Sequence, residues 1–229
     1  TLGGSGLGYQ LAQQFGHALI PTRAGLVPFT YSGKPLEQWA DLSGVALPVT
    51  ARCGKAEFSN FMLITHRGLS GPAMLQISNY WTPKTSLEID LLPNEDAHSF
   101  ITQAQQARPN LALHNLLSEV LPKRFAQRMA ALHGGGEAKP LKQLQHKDVA
   151  QLAQALHQWP ITVSGTEGYR TAEVTLGGVD TKQVSSTTLE SKLSGGLYFV
   201  GEVLDVTGWL GGYNFQWAWA SGYACAEAL

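Results

Sequence analysis

The chain is short of cysteine, of charge and of long apolar runs. Its two cysteines, Cys53 and Cys225, lie far apart and read as buried small hydrophobes, with a redox pair as the alternative. So few cysteines point to a reducing, cytoplasmic setting. Charged residues make up only 14% and the net charge is −1, so no global field recruits nucleic acid or acidic lipid. No segment is long and apolar enough to cross a membrane as a helix. The opening residues lack the charged and apolar regions of a secretory signal, and there is no initiator Met. The seven histidines are scattered without H-x-x-x-H spacing or a nearby cysteine, which argues against zinc. No G-x-S-x-G is present, which argues against a serine hydrolase elbow. What remains is a chain of 229 residues, 44% hydrophobic, large enough for one sizeable domain or two modest ones.

The texture changes along the chain. A glycine loop, Gly3-Gly4-Ser5-Gly6-Leu7-Gly8, feeds a helix over Tyr9–Phe15 that Gly16 should stop. Ala24–Thr30 reads as a short strand and Tyr31–Gly44 as a polar connection. From Val45 to about Pro93 the pattern is strand-like, with Leu87–Leu91 alternating as a half-buried strand should. Helical spacing follows over Ala97–Ala107, Leu111–Leu121, Lys123–Leu132 and Lys147–Trp159, and Pro122 must interrupt it. Strand character returns over Ile161–Ser164 and Ala172–Thr175. An inserted unit within an α/β domain explains this order economically.

The C-terminal stretch carries the most chemistry. Leu197–Val200 is an apolar run of strand length, followed at once by Gly201-Glu202 and, in the same loop, Asp205. Ligands of open α/β sheets collect at the carboxyl ends of strands. Gly211-Gly212 then open a helix of small and aromatic residues, with Tyr213 and Asn214 in its first turn and Gln216 one turn on. A helix start offers free N–H groups and a positive dipole end, and glycine lets a ligand approach that backbone. Hydroxyls would suit Glu202 and an electron-rich ring edge would suit the helix start; a flavin nucleotide has both. Phe215, Trp217, Trp219 and Tyr223 read as core. The first glycine loop fails the G-x-G-x-x-G fingerprint from either Gly4 or Gly6, and no strand precedes it. The helical segment carries seven basic against five acidic side chains, with Lys123, Arg124 and Arg128 clustered; this reads as a solvated face, or as a weak nucleic-acid surface.

Several blocks together resemble one bacterial family. They are Tyr169–Asp180, Thr188–Lys192, Gly196–Val206 and Gly211–Trp219, supported by Gly8-Tyr-Gln-Leu-Ala, Phe15-Gly-His17 and Thr65–Gln76. The chain is similar to the BaiN/YhiN-type NAD(P)/FAD-dependent oxidoreductases, an aminoacetone oxidase-like flavoprotein family. The resemblance implies an α/β fold: the C-terminal part of a glutathione reductase-like FAD-binding Rossmann domain, interrupted by an inserted β-barrel-like and helical module. Residues 1–45 and 166–229 would be the incomplete FAD-binding domain, 46–93 the strand-rich part of the insert and 94–165 its helical part. It further implies FAD as cofactor, NAD(P)H as electron donor and a small organic molecule as substrate. Gly201, Glu202 and Val203 would lie beside the flavin's ribitol, and Gly211, Gly212, Tyr213 and Asn214 would face its ring, with Gln216 beyond them. Family members begin with a strand, G-x-G-x-x-G and a helix, to which nothing here corresponds. The expectation is therefore an incomplete flavoenzyme that binds FAD weakly or not at all by itself and is inactive alone. Two rival expectations are an RNA-associated flavoprotein whose helical insert docks nucleic acid, and a non-enzymatic module with a vestigial flavin site.

Overall fold

The computed structural model describes residues 5–136 and 138–229. The glycines at positions 3 and 4 of the first loop lie outside the described residues. The chain divides into two compact units, one comprising residues up to Val27 together with Glu167–Leu229, the other Pro28–Thr166.

The second unit is built on a seven-stranded antiparallel sheet. Its strands are β2 (Phe29–Thr30), β3 (Ala46–Cys53), β4 (Ala56–Thr65), β5 (Gly68–Ser70), β6 (Leu87–Asp90), β7 (Trp159–Ile161) and β8 (Gly165–Thr166), in the order β7-β6-β3-β4-β5-β2-β8. β3 and β4 form a hairpin across Gly54-Lys55, with Gly54 at φ 60°, a left-handed position that glycine adopts without cost. Leu47, Val49, Ala51 and Cys53 alternate inward along β3, as period-two patterning demands. Gly68 packs against the β2 backbone so closely that a Cβ would collide with the Phe29 carbonyl. The unit starts at Pro28 rather than near residue 46 because β2 pairs with both β5 and β8.

Six helices join this sheet: α2 (Gly33–Trp39), α3 (Pro72–Ser78), α4 (Ala97–Ala107), α5 (Leu113–Leu117), α6 (Lys123–His133) and α7 (His146–His157). Asp96 caps α4, its Oδ1 accepting from the Ser99 N–H at 2.7 Å. Pro122 stands at the N-cap of α6, where its missing N–H costs nothing. Trp39, Phe125 and Trp159 meet as a three-ring cluster with centroids 4.8–5.7 Å apart. They come from α2, α6 and β7, so one core runs through strands and helices alike. His157 adds a polar tie. Its Nδ1 donates to Asp90 Oδ1 at 2.9 Å, while its Nε2 accepts from the Ala97 N–H at 3.0 Å. Asp90 Oδ1 also accepts from the Leu92 N–H. The neutral ring thus fastens the end of β6, the start of α4 and the end of α7.

The first unit contains α1 (Leu7–Gln14), β1 (Leu19–Gly25), β9 (Val174–Val179) and α8 (Tyr213–Glu227), with β1 and β9 paired antiparallel. The expected strand at Leu197–Val200 does not form. Tyr198 makes one antiparallel bridge to Glu190, and the segment finds no ladder among the described residues. A strand needs a partner along its length, and an apolar run does not supply one. The expected core aromatics of α8 also divide. Trp217 is half-buried, but Phe215 is 78%, Trp219 77% and Tyr223 69% exposed. Positions i, i+4 and i+8 do share one helix face, but the buried side belongs to Ser221 and Cys225. Spacing identifies a stripe without identifying what covers it.

His17 lies in the core of this unit and is its only histidine. Its Nε2 meets Ser191 Oγ at 2.7 Å, and its ring edge meets Phe199 at 4.7 Å between centroids. Ser191 Oγ already accepts from the Leu193 and Ser194 N–H groups, so its proton goes to Nε2. Burial lowers the His17 pKa. The folded unit therefore resists a proton that the unfolded chain takes up below about pH 6.5, and stability should fall as pH drops through that value. Urea unfolding at stepped pH should show this loss, and His17→Gln should flatten it. His133 in the other unit is shifted the same way, so the comparison with the variant isolates His17. An identical pH dependence in both proteins would rule the assignment out.

Candidate cofactor site

Glu202 owes its position to backbone contacts on either side of it. The chain turns at Gly201, whose φ is 69°. The Gly201 N–H donates to Ser221 Oγ at 2.9 Å, and its carbonyl accepts from Trp217 Nε1 at 3.0 Å. Ser221 and Trp217 both lie on α8, so the helix holds this peptide from two sides. On the other flank the Asp205 N–H donates to the Val179 carbonyl at 3.0 Å, hooking the loop to β9. Close approach there is possible because Gly178 has no side chain; a Cβ would lie 2.6 Å from the Val203 carbonyl oxygen. Glu202 itself is exposed, and its carboxylate makes no hydrogen bond to another described residue.

Two cavities share Glu202 as a wall. One, of about 130 Å³, sits at the start of α8 and is lined by Glu173, Glu202, Trp209, Gly211, Gly212 and Phe215 among others. Gly211 at φ 115° and Gly212 at φ 88° turn the chain into the helix, and no side chain caps it. A Cβ on Gly212 would meet nothing within 4 Å, so the helix start is open. Its first N–H groups and dipole favour an electron-rich or anionic group there. The other cavity, of about 290 Å³, is lined by Ser5, Gly8, Tyr9, Thr175, Glu202 and Val203.

The residues expected to bind a cofactor fall into distinct places. Glu202, Gly211 and Gly212 line the first cavity, Glu202 and Val203 the second, and Gly201 is buried beneath them. Asn214 lines the first cavity, but its side-chain amide is spent on Gly208, accepting from that N–H at 2.8 Å and donating to that carbonyl at 3.2 Å. Tyr213 is exposed, and its ring packs over Gly211. Gln216 is exposed one turn on and lines neither cavity. Reading the sequence missed Ser221 and Trp217, which set the loop, and Tyr9 and Thr175, which face Glu202. Of the clustered cations on α6, Arg124 donates to the Asp41 carbonyl and Arg128 to the Asp41 carboxylate at 2.7 Å, so both are tied to their own unit.

The family described as HI0933-like protein barrel and H2TH domain matches residues 23–174. The chain belongs to the HI0933-like family. This is a flavoprotein-like family of the FAD-dependent oxidoreductase superfamily. The HI0933-like chain is 55% identical over its whole length to a ribosomal RNA dihydrouridine synthase of Haemophilus influenzae, and 53% identical to one of Escherichia coli. It is 34% identical to a 3-dehydro-bile acid delta(4,6)-reductase of Clostridium scindens. It spans 57% of the length of the first two relatives and 58% of the third. The mixed α/β architecture with antiparallel sheets agrees with this membership. No helix among the described residues is long and apolar enough to cross a membrane, and no described cluster of three His, Cys, Asp or Glu side chains could hold a metal.

Proposed function

We propose that the full-length protein carrying this chain is a flavin-dependent reductase that saturates the C5=C6 bond of a uridine in ribosomal RNA, with NAD(P)H as electron source. The observation that carries this reading is the identity of 55% and 53%, along the entire chain, to two ribosomal RNA dihydrouridine synthases, against 34% to the bile-acid reductase. Both reactions share one chemistry, the reduction of a carbon–carbon double bond conjugated to a carbonyl. Bound FAD would supply the hydride for that reduction.

The residues present fit such a cofactor. Glu202, whose carboxylate makes no hydrogen bond to another described residue, can accept hydrogen bonds from ribitol hydroxyls. The open start of α8 can favour negative charge on one edge of the ring, and Gly211 and Gly212 leave space for it. Ser221 and Trp217 hold the turn at Gly201 that carries Glu202.

The full-length protein should carry flavin absorbance that bleaches anaerobically with NADH or NADPH. Given ribosomal RNA lacking the modification, it should convert one uridine to a product heavier by one H2, read by nucleoside mass spectrometry. Flavin turnover with a 3-oxo-Δ4,6 steroid but not with RNA would overturn the RNA reading in favour of a small enone substrate. A colourless protein that takes up no FAD would overturn both.

A further inference from the structure

Tyr9 and Thr175 are separated by most of the chain, yet they share a cavity with Glu202. Tyr9 is in the first turn of α1 and half-buried; Thr175 is on β9. The remaining walls are Gly8, Val203 and Ser5, and a Cβ on Gly8 would lie 2.9 Å from Val203 Cγ2. The cavity therefore presents one carboxylate acceptor, one phenol donor and two smaller hydroxyls, around a volume of about 290 Å³. Burial, and then the proximity of Tyr169 and Glu202, raise the Tyr9 pKa, so the phenol keeps its proton throughout the neutral range.

That set of groups matches a polyhydroxylated chain better than a ring or a phosphate. A carboxylate beside the cavity disfavours an anion, and hydroxyl donors and acceptors in alternation suit vicinal alcohols. We infer that Tyr9 is a ligand-binding residue, donating its phenol proton to a hydroxyl of the flavin's ribityl chain in the cavity it shares with Glu202 and Thr175. This rests on the flavin reading above and adds a named contact to it.

The test separates the two ideas by using two flavins with the full-length apoprotein. Riboflavin carries the ribityl chain, and lumiflavin has the same ring with a methyl in its place. Fluorescence titration should show riboflavin bound about 3- to 10-fold more weakly by Tyr9→Phe, as expected for one neutral hydrogen bond, with lumiflavin unchanged. Thr175→Val should weaken riboflavin in the same selective way by a smaller factor. Equal weakening of both flavins, or no change in either, would overturn the Tyr9 contact while leaving the flavin reading intact. Failure of the unaltered protein to bind either flavin would overturn both.

Discussion

Gly178→Ala is expected to lower the thermal midpoint of the unit formed by the two ends of the chain by on the order of 10 °C. Gly178 has φ 134°, a conformation that side-chain-bearing residues rarely adopt, and a Cβ there would lie 2.6 Å from the Val203 carbonyl oxygen and 3.0 Å from the Leu204 carbonyl carbon. Both neighbours are backbone, so neither can swing aside. Residues 203–205 would have to retreat from β9, breaking the bond from the Asp205 N–H to the Val179 carbonyl. Backbone strain contributes about 1–2 kcal/mol and the collision at least as much again. The same displacement moves Glu202, so flavin affinity of the full-length protein should fall together with stability. Gly201→Ala is the internal control. Its φ of 69° carries the strain, but its Cβ would meet Ala218 at an ordinary 3.7 Å. Differential scanning fluorimetry of both variants decides the matter. If Gly178→Ala melts no lower than Gly201→Ala, the close approach is not what holds the loop.

Trp159→Ala should cost the other unit about 3–5 kcal/mol in urea unfolding. The side chain is 5% exposed and meets Trp39 edge-on at 4.8 Å and Phe125 at 5.7 Å. Removing it opens a cavity where the helices meet the sheet, bounded by two further rings that cannot fill it. Arg128, whose guanidinium stands 6.0 Å from the centre of the Trp39 ring, would lose a fixed platform as well. Trp159→Phe keeps an aromatic ring in place and should cost well under half as much. A loss below about 1 kcal/mol for the alanine variant would mean that the three rings do not bind helices and sheet into one body.

What could be read from the sequence was what the chain decides locally. Ala97–Ala107 is a helix over the expected span because its apolar spacing and Asp96 cap act within a few residues. The same holds for Pro122 as an interruption, and for Gly211-Gly212 as the opening of α8. What could not be read depends on partners distant in sequence. Leu197–Val200 has strand composition but no ladder. Phe215, Trp219 and Tyr223 have core composition but face outward, because Ser221 and Cys225 are what the unit packs against. Glu202 was legible as a candidate because it follows an apolar run and a glycine, although the strand expected there does not form. Tyr9 and Thr175 were not, because neither has any local mark of ligand binding and only the fold brings them to Glu202.

The loop around Glu202 separates where a side chain stands from what that side chain is. The loop is fixed by the backbone of Gly201 and Asp205, reached from Ser221, Trp217 and Val179, and by the buried Leu204 side chain between them. The carboxylate spends nothing on its own placement. Exchange at position 202 therefore alters the chemistry offered to a ligand while leaving the address unchanged. A fold arranged in this way can try new ligands one residue at a time, and relatives that share the scaffold are free to differ in what they hold there.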